Sequence, residues 1–299
     1  MTKNRAIKIS AAITKVIIFF DIFDYPLTLK EIWQFISLKC ELVEISNILN
    51  AGVANISLQN NFYFLSGREN NIKERLERYG FADKKFKIAL FVAKIFKFIP
   101  WIKMVTIGNL LGARNLKNNS DIDLFIITEN KRIWLTRFFC ICVIKLLGLR
   151  PQINNKKNKI CLSFYISLSA LDLSKLRMGQ DDWYFTYWLA CLTLLYNTDE
   201  TYQKLIKANK WLNARLPNWQ LNNTSECCQT GQLLFKFYHN FIDLFFCYLE
   251  QRFKTLQLKI LPQKLKNMKN NDTRVVINDQ IIKLHSNDRR EKYNRIAMK

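Results

Sequence analysis

The stretch Met104–Thr128, MVTIGNLLGARNLKNNSDIDLFIIT, decides how the chain is read. It opens with the apolar run Met104 to Ile107, which ends at Gly108. A polar loop follows and closes on Asp121-Ile122-Asp123, which runs into Leu124-Phe125-Ile126-Ile127. A run apolar on both faces over that length predicts a strand buried within a sheet. Strand side chains alternate, so Asp121 and Asp123 share a face, on the order of 7 Å apart along the chain. Two carboxylates there repel each other and are costly to desolvate. A divalent cation offsets that cost, and Mg²⁺ is commonly held by one or two carboxylates plus phosphate oxygens. Gly108 precedes Asn109-Leu110-Leu111, which can open a helix whose first amides a phosphate could approach. An Asx-capped loop entering an ordinary strand is the plainer reading of the same residues.

Taken together, Gly108-Asn109, the intervening polar loop and Ser120-Asp121-Ile122-Asp123 at the head of an apolar strand resemble the nucleotidyltransferases of the DNA polymerase beta superfamily. The resemblance implies a small mixed sheet and a nucleoside triphosphate substrate. It also implies Asp121 and Asp123 as catalytic, Mg²⁺-holding carboxylates, with Gly108, Asn109 and Ser120 around the nucleotide. The expected reaction moves a nucleoside monophosphate to an RNA, DNA, small-molecule or protein acceptor by two-metal displacement. Two departures stand out. The family places a third carboxylate on a neighbouring strand, yet Ile160 to Ile166 has none and the nearest acid is Asp172. Asn109 also replaces the usual small residue, although its amide could bond a phosphate. The alternative is therefore a weak or inactive nucleotide-binding, regulatory module. Ala208-Asn209-Lys210-Trp211, Leu216-Pro217-Asn218, Leu256-Gln257-Leu258 and Leu284 to Arg290 are similar to segments in one bacterial subgroup, with Ser286 where a proline usually follows the histidine.

The chain has 299 residues, long enough for two or three domains, and is 49% hydrophobic, enough for a sizeable core. A net charge of +22 favours anionic partners, unless the many Asn-Lys clusters reflect composition alone. Lys156-Lys157-Asn158-Lys159, Arg289-Arg290 and Lys84-Lys85 are the candidate nucleic-acid contacts. The eight cysteines show no C-x-x-C spacing, which argues against zinc and fits a reducing cytoplasm. No apolar run is long enough for a transmembrane segment, and Val16 to Phe20 is too short for a signal peptide.

Along the chain, an α+β organisation is expected. Residues 1–68 read as a winged-helix-like domain: three helices, the second opened by the capping box Thr28-Leu29-Lys30-Glu31, then a hairpin turning at Asn60-Asn61. The third helix carries Glu41 and Glu44 and no Lys or Arg, which argues against DNA reading. Residues 69–100 form a helical connector in which Glu74, Arg75, Glu77 and Arg78 read as a solvated face. Residues 101–180 form the nucleotidyltransferase-like domain, and 181–299 a helical region with a basic tail. Asp181 and Asp182 are expected to cap a helix, Trp211 to pack in the core, and His285 to cap or pack.

Overall fold

The computed structural model describes residues 2–152, 154–221 and 239–297. Helix α1 (Lys3–Asp21) turns Ile9, Ile13, Val16, Ile17 and Phe20 inward at helical spacing. Helix α2 (Leu29–Phe35) starts from the expected capping box: Glu31 N donates to Thr28 Oγ1, and Thr28 N donates to the Glu31 carboxylate. After α3 (Leu42–Asn50), strands β1 (Ile56–Gln59) and β2 (Phe62–Leu65) form an antiparallel hairpin. Its turn residues Asn60 and Asn61 both have positive φ, as a type I′ turn requires to match the strand twist.

The connector is one helix, α4 (Asn70–Phe96). Arg75 and Arg78 are each only 3% exposed, which overturns the solvated face for the two arginines, whereas Glu77 is exposed and Glu74 partly so. The arginines' partners come mostly from the preceding segment, with Asn115 added from the polar loop before Asp121. Arg75 forms a forked pair with Glu31 (2.8 and 3.0 Å) and lies 4.0 Å from the Tyr25 ring centroid, and Arg78 donates to the Phe23 carbonyl and to Asn115 Oδ1. Farther along, Ala89, Val92, Ala93 and Phe96 continue the same buried stripe beneath the sheet.

The central sheet has the order β6-β3-β4-β5-β8-β7. Strands β3 (Ile102–Ile107) and β4 (Ile122–Thr128) come from the quoted stretch and pair antiparallel. Helix α5 (Ile133–Leu146) carries the chain over to β5 (Ile160–Ser167), which lies parallel to β4. After α6 (Trp183–Ala190) the expectation of an all-helical remainder fails. Strand β6 (Thr193–Asn197) pairs with β3, and β7 (Val275–Ile277) and β8 (Ile281–Leu284) extend the other edge through β5. Runs this short cannot be told from helix by periodicity. They form because the edges of β3 and β5 would otherwise present unpaired backbone.

Alternation on β4 splits the core. Phe125 and Ile127 face α6 and the N-terminal helices, whereas Leu124 and Ile126 face α4, α5 and α9 (His239–Lys259). Phe19 and Phe20 pack on Tyr187, with ring centroids 4.7 and 5.0 Å apart, so the N-terminal helices share one core with the sheet. The segments 208–211, 216–218 and 256–258 act largely as clasps. Buried Asn218 donates to the Trp33 and Leu38 carbonyls, and Asn209 to those of Leu171 and Leu205. Gln257 ties α9 to α5 through the Trp134 carbonyl and Arg137. Two short helices, α7 (Thr201–Ala208) and α8 (Trp211–Arg215), follow β6, α10 (Gln263–Met268) precedes β7, and α11 (Arg290–Ala297) closes against α1 and α6. Among the described residues, no helix is long and apolar enough to cross a membrane. Cys227 and Cys228 lie outside the described residues; the other six cysteines are free thiols.

Candidate active-site cleft

Asp123 lies on the same face of β4 as Phe125 and Ile127, with Asp121 two residues before it. The register pairs Asp123 with Cys161 on β5. Between that pair and Phe125/Phe164 the register slips by a residue. Such a bulge re-aims side chains, and here Ser163 and Phe164 both come to line the cleft. Ligand atoms of Asp121, Asp123 and Cys161 lie within 4.8 Å of one another. No third Asp or Glu joins them at that distance among the described residues. Asp172 is exposed, and its carboxylate accepts from Ser174 N at 2.9 Å. The position facing Asp123 on the neighbouring strand is thus filled by a thiol.

Burial, and then the charge of Asp121, push the Asp123 carboxyl up to about 7. Burial and the Asp123 charge raise the Cys161 thiol well above its usual range. Gly108 is held by its neighbours. Its N–H donates to the Asp123 carbonyl at 2.8 Å, its carbonyl accepts from Trp188 Nε1, and a Cβ would stand 3.3 Å from Phe125 Cβ. Asn109 is committed to Asp123 rather than free for a phosphate. Its Nδ2 donates to Asp123 Oδ2 at 2.7 Å, and its Oδ1 accepts from Asp123 N at 2.9 Å.

The helix expected after Asn109 does not form. Leu111 and Gly112 have φ of 66° and 57°, outside the right-handed helical region, and only a 3₁₀ turn follows at Gly112–Asn115. At Gly112 a Cβ would collide with Thr193 Oγ1 and the Cys191 carbonyl, so the loop hugs the strand edge and offers no helix N-terminus to a phosphate. Ser120 also stands apart from the cleft: its hydroxyl donates to the Lys117 carbonyl, and its own carbonyl accepts from buried Lys85.

The opposite wall comes from the end of the chain. A cleft of about 550 Å³ runs from Gly108, Asn109 and Asp123 to Lys283, His285 and Asp288, floored by Phe164, Tyr184 and Trp188. Ser163 Oγ is 2.8 Å from His285 Nε2. Burial, with nearby Lys283, lowers His285 to about 4, so the ring is neutral near pH 7. Lys283 is 2% exposed and pushed down to about 8 by burial and by Arg290. Asp288 bridges Lys283 (3.3 Å) and Arg290 (2.8 Å), and Arg290 continues to Asp182, which caps α6 as expected.

Sequence reasoning missed Lys283, Ser163, Tyr184 and Trp188, and gave His285 a capping or packing role. The signal was the cluster of His, Asn, Asp and Arg after the short apolar run Ile281 to Leu284. The corrections also reach the basic candidates. Lys85 (1% exposed) and Arg290 (3%) are buried, whereas Lys84, Lys156, Lys157 and Arg289 are exposed. Compared with known families, with curated proteins and with solved structures, the chain finds no match.

Proposed function

We propose that the cleft is a nucleotidyltransferase-type site that binds a nucleoside triphosphate together with one Mg²⁺ and transfers the nucleotide only slowly. The observation that carries the reading is the convergence of Asp121 and Asp123 at the end of a cleft whose other residues include Lys156, Lys283 and Arg289. Two close carboxylates, one with a raised proton affinity, suit one hard divalent cation that keeps waters and takes phosphate oxygens. The thiol of Cys161 is a poor ligand for such an ion, so the donor set fits one Mg²⁺ and not a pair. When bound, the ion would neutralise charge on the triphosphate. Asn109 orients Asp123, the basic side chains attract the phosphates, and the half-buried Tyr184 adds an aromatic wall beside which a base could lie. With no third carboxylate grouped with the pair among the described residues, nothing there supplies a second metal site or a base for the acceptor hydroxyl, which favours binding over turnover. The three N-terminal helices and the hairpin would then serve as a winged-helix-like arm for a protein partner, since α3 exposes Leu42 and Val43 and carries no basic residue.

The test is thermal unfolding with Mg²⁺ and each common nucleoside triphosphate, paired with an assay for released pyrophosphate. A rise in Tm that Asp123→Asn abolishes, with pyrophosphate near background, is expected. An equal rise in the Asp121→Asn/Asp123→Asn double variant would remove the metal assignment. Brisk pyrophosphate release dependent on both acids would make the protein an active transferase.

A further inference from the structure

A second cavity, of about 230 Å³, has no part in the reading above. It lies at the far end of the motif loop. Gly108 to Leu110 line the cleft, whereas Leu111 and Arg114 line this cavity, with α2 and the chain entering β6. Its apolar wall is largely aromatic, built from Tyr25, Phe35, Phe86, Tyr202 and Trp219.

Gln34 sets the cavity apart. Its side chain is 7% exposed, lines the cavity and has no hydrogen-bond partner among the described residues. A primary amide carries two donor hydrogens and an acceptor oxygen, and in Gln34 these stay open to the cavity rather than sealed from solvent. Glu31, one turn earlier on α2, is by contrast saturated by Tyr25 Oη, by the N–H and hydroxyl of Thr28 and by the Arg75 fork. It offers nothing more to a ligand. Arg114 has its side chain 54% exposed and its Nη1 3.9 Å from Glu31 Oε1, beyond hydrogen-bond length, and its guanidinium makes no hydrogen bond among the described residues. An aromatic slot thus contains an amide with no protein partner among the described residues, and on its wall a guanidinium held only by a long ion pair to Glu31.

We propose that this cavity binds a small planar lactam bearing one anionic group. The lactam edge, a donor beside an acceptor, pairs with the Gln34 amide in the two-pronged way Gln reads such edges. The ring lies among the aromatic side chains, and the anion meets the Arg114 fork. The site is independent of the metal reading of the cleft, because none of these groups touches Asp121 or Asp123.

The test uses the full chain and three probes: orotate, which has the lactam and a carboxylate; uracil, the lactam alone; and benzoate, a ring and carboxylate without the lactam. Orotate at roughly millimolar concentration should raise Tm more than either of the others. Gln34→Leu should abolish the orotate shift. Arg114→Met should reduce that shift to the level of uracil. The double variant Asp121→Asn/Asp123→Asn should keep the full orotate shift, which separates this cavity from the cleft. Should Gln34→Leu not fold, Gln34→Glu keeps the size and repels the anion, and its orotate shift must fall too. No orotate shift, an equal response to benzoate, or a shift retained in the Gln34 variants each overturns the proposal and leaves a cavity that holds water only.

Discussion

Asp123 holds its proton to about pH 7, where an ordinary aspartate lets go near 3.8. Between those values the unfolded chain has released the proton and the folded chain has kept it. Stability from this residue therefore falls as pH rises through that window, and the loss is complete above about 7. Without divalent cations, the Tm of the parent minus that of Asp123→Asn should drop from acid to neutral pH and then level off. A difference that stays flat would show Asp123 to titrate normally. A cation competes with the same proton, so the Mg²⁺-dependent rise in Tm should grow toward neutrality. Cys161, facing Asp123, gives a complementary experiment. On the proposed function, Cys161→Asp adds a third carboxylate beside the pair and should raise pyrophosphate release by about tenfold or more, equal to ~1.4 kcal/mol of barrier. The cation-free variant should melt lower, because three acids then share one face.

At the scale of elements, α4 is fixed to the N-terminal helices by the buried pair Glu31–Arg75, whose side chains are 8% and 4% exposed. Arg75→Met leaves Glu31 buried without its partner and should cost about 3–5 kcal/mol in urea unfolding. The clasp at Asn218 is weaker: Asn218→Ala leaves the Trp33 and Leu38 carbonyls and Cys40 N without their partner, a loss of about 1–3 kcal/mol by the same measurement. Elements with local signals were legible in the sequence: the capping box of α2, the two left-handed asparagines of the hairpin, and the buried strand headed by Asp121 and Asp123. Half of the candidate site was legible for the same reason, since Gly108, Asn109 and Asp123 belong to one continuous stretch. Elements whose cause lies elsewhere were not. Arg75 and Arg78 look solvated until Pro26, Phe23 and Asn115 supply partners. Strands β7 and β8 are too short to declare themselves, so Lys283 and His285 could not be placed opposite Asp123. The bulge that turns both Ser163 and Phe164 to the cleft depends on how β5 meets β4, which no single-chain pattern records.

For the whole molecule, the charge of +22 is unevenly available, because Lys85, Arg75, Arg78 and Arg290 are spent inside. The exposed set Lys84, Lys156, Lys157 and Arg289 remains for polyanions. Binding to a non-specific RNA should weaken steeply with salt, by about 0.9 log units per log unit of salt for each duplex phosphate neutralised and somewhat less on single strands. Reversing Lys156 and Lys157 to glutamate should flatten that dependence, and no binding even at low salt would leave the charge without a polyanionic partner. The strand order has another consequence, for how the protein is made. A ribosome delivers β4 and β5, with Asp121 and Asp123, long before β8, yet β8 must insert between β5 and β7 to close the sheet. Throughout that interval the nascent chain carries a bare strand edge on β5 and an open aromatic floor at Phe164 and Trp188, the features that recruit chaperones or seed aggregation. The pocket is therefore completed last in synthesis, and a proteolytic cut between α10 and β7 would free its far wall to leave while the two acids stay in place.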